Sequence, residues 1–537
     1  MRRVSPGLDD ISREDGLIVA GSGCRNAEAL IMSPSGDELT AARNRIRVAY
    51  SPELLGQLGR QLADQLTRQL EQVESSRAKV LNWKEPAENI REAAAELGRA
   101  REPSPNAAMA EEFGRLVSLM LDHGHNLHDP RYIGHQVPAS VPIAGLFDAV
   151  GSVTNQVMAV YEMGPWATAV ERALIDEVGR TVGFTPGEFS GLVTHGGSLA
   201  NLTGLLTARN VSLAGVWEKG LTRCPVSPVV VVHGDAHYSV ARAAGILGLG
   251  ADGVIKAELD ERRRMDPAKL DQVLSRLRAE GRLIVAVVAC ACATPIGAFD
   301  PVDAIADVCE KHSVWLHVDA AHGGAACFSE RHAHLVHGLQ RADSVVLDAH
   351  KMLFAPALCA FVFYRQKANQ FEAFRQSAPY LFDPTDPGLA EFDSGMKTVE
   401  CTKRAAAFGL WGIWSLFGRE LFGDLVDVTF ATAGELYRLL CEADDFVPLH
   451  VPQCNIVTFR YLPVELRDSS PDRIGLLQRS IRQSLIRSGE FYIVQTELEG
   501  QAALRVSVMN PLTERGHLMQ LLQAIRETGQ RLLSQTS

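Results

Sequence analysis

The stretch "SVVLDAHKMLFAP", residues 344–356, carries a branched apolar segment into His350 and Lys351 and then returns to apolar residues. A lysine with hydrophobic neighbours on both sides has two ordinary uses. It can open a loop and snorkel its ammonium to water. It can also be a desolvated amine used as a nucleophile, since burial lowers a lysine's pKa and frees the lone pair for Schiff-base chemistry. The stretch by itself leaves both open.

Three further runs share its character: "PVVVVHG" (228–234), "LIVAVVACA" (283–291) and "VWLHVDAA" (314–321). Short, branched, nearly all-apolar runs are strands buried on both faces. Helical patterns lie between them, such as "SVARAAGILG" (239–248) and "DPVDAIADVCEKH" (300–312), the second opening on Asp300 as an acidic N-cap with Pro301 behind it. Strand and helix alternating at this rhythm predict an α/β fold, a parallel sheet covered by helices, with ligands at the carboxyl ends of the strands. After about residue 415 the alternation loosens into "NIVTFRYLP" (455–463) and "ALRVSVMNP" (503–511), which predicts a smaller α+β C-terminal domain over 416–537. The large domain is expected over 126–415. Upstream, residues 49–125 read as a helical dimerisation segment, in which Leu55, Leu58, Leu62, Leu66, Leu70 and Val73 form an apolar stripe that needs a partner. Residues 1–48 show no periodicity and are expected to form a loosely ordered arm.

The 537 residues are 46% hydrophobic and 22% charged, a globular composition with room for several domains. A net charge of -11 argues against nucleic acid or an anionic membrane surface as a partner, since both reward a basic footprint. No run approaches the roughly twenty apolar residues of a membrane span, and "MRRVSPGLDDISRED" has no apolar segment behind its basic residues, so a cytoplasmic enzyme is expected. The ten cysteines form no CxxC pair and read as reduced core thiols. His332, His334 and His337 lack the spacing that puts two imidazoles on one helix face, so no metal site is expected.

Polar residues at the strand ends carry the chemistry. Asp319 stands in "VWLHVDAA" where an apolar residue would fit, and a buried carboxylate needs a cation or a strong donor. His237 follows "PVVVVHG", either as a cap of the next helix or as a site residue. "GLVTHGGSLANLTGLL" (191–206) puts Gly196, Gly197 and Ser198 at the start of a helix, where backbone N–H groups can cradle a phosphate. One ligand accounts for all of these together with Lys351: pyridoxal 5'-phosphate. In that reading Lys351 binds the aldehyde, Asp319 keeps the pyridine nitrogen protonated, His237 stacks on the ring, and Gly197 and Ser198 take the phosphate.

The ordered pieces "DPRYIGHQ", "TNQVMAVYEMGP", "THGGSLANL", "DAHYSVARAA", "HVDAAHGGAACFSE", "DAHKML", "NIVTFRYLP" and "LRVSVMNP", spanning roughly residues 50–530, resemble the group II pyridoxal-phosphate-dependent amino acid decarboxylases. That family includes glutamate, cysteine sulfinate, 2,4-diaminobutyrate and aromatic amino acid decarboxylases. The resemblance implies the type I transferase fold, with a mostly parallel seven-stranded sheet in the large domain, and a homodimer whose active site lies at the subunit interface. It further implies that Lys351 is the Schiff-base lysine with His350 as its companion, that Thr294 lies close to the cofactor and that Ala321 contacts the ring opposite His237. His135 falls at the position that reaches the substrate, and Arg505 at that of an arginine binding a substrate carboxylate. The expected reaction is removal of the α-carboxylate of an L-amino acid, favouring a polar or acidic side chain. An oxygen-using aldehyde synthase, a transaminating relative and a catalytically silent member remain alternatives.

The resemblance breaks in "YLFDPTDPGLAEFDSGMKTVECTKR" (380–404), where Gly388 and Phe392 stand at positions the family fills with tyrosine, one of them linked to returning a proton to the substrate's α-carbon. A phenyl ring has no proton to give. His237, Tyr380 and a partner-chain residue are the substitute donors. Slow proton return predicts measurable conversion of cofactor to pyridoxamine phosphate during turnover, and partial rescue by added pyridoxal phosphate. Following CO2, amine and pyridoxamine phosphate over many turnovers checks this; strict one-to-one CO2 and amine without cofactor loss refutes it.

Overall fold

The computed structural model describes residues 36–99, 106–374 and 391–536. The apolar runs become strands of one seven-stranded sheet: β1 Ser190–Thr194, β2 Val229–Val232, β3 Val254–Lys256, β4 Ile284–Cys290, β5 Trp315–Asp319, β6 Ser344–Asp348 and β7 Ala360–Tyr364. Their order is β1-β7-β6-β5-β4-β2-β3. Neighbours from β6 to β3 pair in parallel, while β7 runs antiparallel to both β6 and β1. β4 is entirely apolar, and from Val285 to Cys290 it is buried. A strand covered on both faces by helices cannot show a polar alternation, which is why these runs read as continuous. Register puts Cys290 opposite Asp319 and Asp319 opposite Val346, so the carboxyl ends of β4, β5 and β6 finish at one level.

The C-terminal sheet is antiparallel, β8 Phe446–Pro448, β9 Ile456–Tyr461, β10 Val494–Leu498 and β11 Gln501–Ser507, in the order β8-β9-β11-β10. Helices Glu420–Cys441, Pro471–Ser488 and Arg515–Thr536 accompany it, as the α+β expectation requires.

Several expectations are corrected. Residues 36–49 are not a loose arm but a helix, Gly36–Ala49, with Asp37 and Glu38 in its first turn and Arg47 in its last, each complementing the helix dipole; residues 1–35 lie outside the described residues. The chain divides into two compact units, residues up to 66 with 94–119, and 67–93 with 120 onward. Neither expected boundary, 125/126 or 415/416, separates them. Large and small sheets share the second unit because polar ties cross between them: Thr458 Oγ1 donates to the Pro295 carbonyl at 2.8 Å, and Phe299 N to Gln453 Oε1 at 2.9 Å. In the first unit Gln61 and Gln65 donate to the carbonyls of Ala110 and Gly114, while Leu55 and Leu66 of the predicted stripe stay exposed. Asp300 does not cap its helix. Its carboxylate accepts from Cys290 N at 2.7 Å and Met265 N at 2.6 Å, and the helix Val302–Lys311 starts with no side-chain cap. A fully buried carboxylate takes the donors that desolvation leaves most in need of a partner.

One buried ion pair holds the start of the sheet. Lys403 Nζ lies 2.7 and 2.8 Å from the two oxygens of Glu171 and donates to the Val193 carbonyl at 2.7 Å; Glu171 in turn accepts from Val193 N at 3.2 Å. Removing one partner strands a buried charge. Lys403→Met is therefore expected to lower stability by about 3–5 kcal/mol, read as the shift of a urea unfolding midpoint.

Candidate active site

β1 ends at Thr194, and the chain turns through Gly196, whose φ of +108° suits glycine alone, into the helix Gly197–Ser212. That helix starts without a side-chain cap. Leu199 N and Ala200 N return to the Gly196 carbonyl at 3.1 Å each, so a ligand at this turn would meet the amides of Gly197 and Ser198. A Cβ on Gly197 would stand 2.6 Å from Asp348 Oδ2, so only glycine lets the end of β6 approach this turn. Between the turn and the ends of β4, β5 and β6 lies a cavity of about 330 Å³. Of the residues singled out in the sequence, Gly197, Ser198, His237, Thr294, Asp319, Ala321, His350 and Lys351 all line it.

Asp319 is 8% exposed, and its setting is a directional network. Trp315 Nε1 donates to Ser344 Oγ at 2.9 Å, and the Ser344 hydroxyl lies 2.8 Å from His317 Nδ1. His317 Nε2 donates to Asn201 Oδ1 at 2.9 Å. Asn201 Nδ2 then donates to Asp319 Oδ2 at 2.9 Å and to Ser239 Oγ at 3.1 Å, while Ala321 N donates to Asp319 Oδ1 at 3.2 Å. Burial pushes His317 down to about 4, so the ring is neutral and keeps one donor and one acceptor nitrogen. Ser239 continues the chain: its hydroxyl is 2.8 Å from His237 Nδ1, which also accepts from Ser239 N at 3.3 Å. His237 is thus both helix cap and cavity wall. Burial lowers its pKa as well.

Lys351 Nζ lies 3.1 Å from Asp348 Oδ2, and His350 Nδ1 donates to the Cys359 carbonyl at 2.8 Å. The expectation that burial depresses the lysine is corrected. Burial acts in that direction, but the carboxylates of Asp348 and Asp319 outweigh it and raise the pKa above its ordinary value.

His135 and Arg505 are not in the wall of this cavity; Gln136 is. The His135 ring sits 5.8 Å from that of Tyr492, its pKa lowered by burial and by the charges of Arg505 and Arg482. Arg505, on β11, is 5% exposed, and its Nε and Nη2 have no partner among the described residues. Gly388 and Tyr380 lie outside those residues, while Phe392 packs 5.9 Å from the Tyr161 ring. Sequence reasoning missed Asn201, Asp348, Gln136 and His195, whose Nδ1 is 2.6 Å from Glu400 Oε1. Asn201 stands in the quoted motif "THGGSLANL", four residues past Gly197, one helical turn from the phosphate cradle.

A basic amine, a buried carboxylate fixed by neutral donors and an uncapped helix start, all on one cavity, match the aldehyde, ring nitrogen and phosphate of pyridoxal phosphate, and define a pyridoxal phosphate enzyme of the type I fold. Residues 92–462 match the pyridoxal-dependent decarboxylase conserved domain, and the chain belongs to that family. It is 32% identical over 382 residues to mouse (Mus musculus) acidic amino acid decarboxylase GADL1, covering 70% of this chain and 69% of that one. To rat (Rattus norvegicus) cysteine sulfinic acid decarboxylase it is 31% identical over 465 residues, covering 84% and 92%. The crystal structure of mouse CSAD superposes with a TM-score of 0.80 at 27% identity, covering 89% of this chain and 98% of that one. The protein is a pyridoxal-phosphate-dependent amino acid decarboxylase.

An arginine left without an anion has a measurable cost. Burial brings Arg505 down from its ordinary value to about 10. The unfolded chain holds that proton more tightly, so the penalty is full below the folded value and fades only as pH rises from there toward the unfolded one. Arg505→Met is expected to stabilise the ligand-free chain by about 1–3 kcal/mol at neutral pH, read by chemical denaturation, while weakening substrate binding.

Proposed function

We propose that the substrate is an L-amino acid with an acidic side chain, a carboxylate or a sulfinate, and that Arg505 binds one of its anionic groups. The observation that carries this is the buried Arg505 guanidinium, with Nε and Nη2 unpartnered among the described residues. A planar fork of donors in a dry setting favours a bidentate oxyanion. The relatives named as acting on acidic amino acids and cysteine sulfinic acid support the same class. His135, exposed beside the Tyr492 ring and within the field of Arg505, faces the substrate in this reading.

When bound, pyridoxal phosphate supplies an electron sink for the pair released as CO2 departs. The protein's own groups do the rest. Lys351 holds the cofactor's aldehyde carbon and yields it to the substrate amine. Asp319, kept an acceptor by Asn201 and Ala321 N, retains a proton on the pyridine nitrogen. His237, Ala321, Thr294 and His350, which line the cavity, would hold the ring, His237 and Ala321 on its two faces. Gly197 and Ser198 bind the phosphate through first-turn amides. Lys351, once displaced, would be kept protonated by Asp348 and Asp319, which adds it to His237 as a group that could return a proton to the substrate's α-carbon.

The assembly is proposed to be a homodimer. Ile143, Leu146, Val150 and Val153 leave an apolar face of the helix Pro142–Val153 exposed, and Trp166 and Leu416 are exposed as well. Exposed apolar area of this kind marks an interaction surface. No described cysteine is in a disulfide, which supports a reducing, cytoplasmic setting. Among the described residues no helix is long and apolar enough to cross a membrane.

The test is a CO2-release screen of glutamate, aspartate, cysteine sulfinate, diaminobutyrate and the aromatic amino acids. The expected result is highest kcat/KM on an acidic member. Arg505→Met should lose that preference, and preference for a cationic or aromatic amino acid refutes the reading. Lys351→Ala should lose the yellow, borohydride-sensitive absorbance and nearly all turnover while sedimenting as the same dimer. Near wild-type activity would remove Lys351 from its role.

A further inference from the structure

Three side chains, two in the cavity wall and one beside them, take no part in the chemistry above. Cys292 follows β4, His322 follows β5 and Cys454 precedes β9; their donor atoms lie within 4.8 Å of one another, and all three residues are buried. Cys292 Sγ and Cys454 Sγ are 3.8 Å apart. Two thiolates on one tetrahedral zinc, each at about 2.3 Å, stand roughly 3.8 Å apart, so the sulfur pair already has the required bite. His322 Nε2 donates to Asn455 Oδ1 at 2.7 Å, which leaves the lone pair on Nδ1. That Nδ1 is buried and has no partner among the described residues. A ring whose far nitrogen is tied to an amide oxygen is oriented as a metal-bound imidazole is. A disulfide between the two cysteines would leave this nitrogen unexplained.

We propose that Cys292, His322 and Cys454 form a site for a thiophilic divalent cation, zinc, and that filling it blocks the decarboxylase. On binding, two S–H bonds break, two zinc–sulfur bonds form, two protons pass to solvent and Nδ1 contributes its lone pair. No electron changes hands, and two thiolates neutralise the ion. Cys292 and His322 also line the cavity that holds Lys351, so the fourth coordination position opens into it. Water or a substrate oxyanion takes that position and is held away from the reacting geometry. The blocking effect rests on this cavity being the decarboxylase site; metal binding does not.

The experiment uses the holoenzyme, freed of trace metal and kept reduced. Zinc should bind at one ion per chain and reduce turnover, with recovery on chelation. Cobalt(II) should give tetrahedral visible bands at wavelengths longer than the cofactor's, with thiolate charge transfer, both displaced by zinc. Cys454→Ala should keep its zinc-free turnover and shift the inhibiting zinc concentration upward by about tenfold or more. Cys441→Ala, which removes an exposed thiol, should behave as wild type. An octahedral or absent cobalt spectrum, or equal zinc sensitivity in Cys454→Ala, overturns the site, as does loss of the two thiols to a disulfide in place of metal binding. If Cys454→Ala does not fold, the wild-type cobalt spectrum decides alone. Tetrahedral cobalt with undiminished turnover overturns the blocking role. Untreated holoenzyme that releases no CO2 from any amino acid counts against the decarboxylase reading, and the cobalt signature is read independently of it.

Discussion

The carboxylate of Asp319 is the constraint around which the pocket is organised. A buried carboxylate is tolerated only where donors meet it, and here they are neutral groups in a fixed order, Trp315 to Ser344 to His317 to Asn201. Every polar atom in that order has a set direction because His317 is neutral and so distinguishes its two nitrogens. Among the described residues no cation is paired with Asp319 from behind, which leaves its charge available on the cavity side. The same asparagine reaches Ser239 and through it His237, so the base of the ring site and its wall are positioned by one side chain. Gly204 makes this possible from one turn further along the helix: a Cβ there would come within 2.7 Å of the His317 ring.

Register gives the network its location. Parallel neighbours β4, β5 and β6 end together, bringing Cys290, Asp319 and Asp348 to one edge, and the helix after β1 opens there without a side-chain cap. Phosphate, ring nitrogen and aldehyde lie along a molecule of fixed length, and a sheet edge provides fixed spacing. The ion pair of Lys403 with Glu171 clamps Val193 on β1, just before the glycine turn, so the phosphate end is braced from outside the pocket.

Much of this was legible in the sequence because buried strands tolerate few polar residues, and those that remain stand out: Asp319 after "VWLHV" and Lys351 after "SVVLDAH". What was not legible depends on distance between segments. The antiparallel direction of β7 leaves no mark in an all-apolar strand such as "AFVFY". Asp300 looked like a helix cap because a cap and a strand-bridging carboxylate share one local pattern, and only the buried amides of Cys290 and Met265 tell them apart. The ten cysteines appear scattered because Cys292 and Cys454 are far apart in the chain and meet only where the small sheet closes on the large one.

Lys351 shows where local reasoning points the wrong way. Its apolar neighbours suggest a depressed pKa, yet Asp348 and Asp319, contributed by two adjacent strands, raise it. A protonated lysine is a poor nucleophile, which at first looks unsuited to capturing an aldehyde. It suits the later half of a cycle. With the cofactor bound, a lysine held as ammonium by Asp348 would compete poorly with a substrate amine for the aldehyde carbon. One carboxylate at the end of β6 thus keeps in its charged form a lysine whose apolar neighbours by themselves would favour the neutral amine.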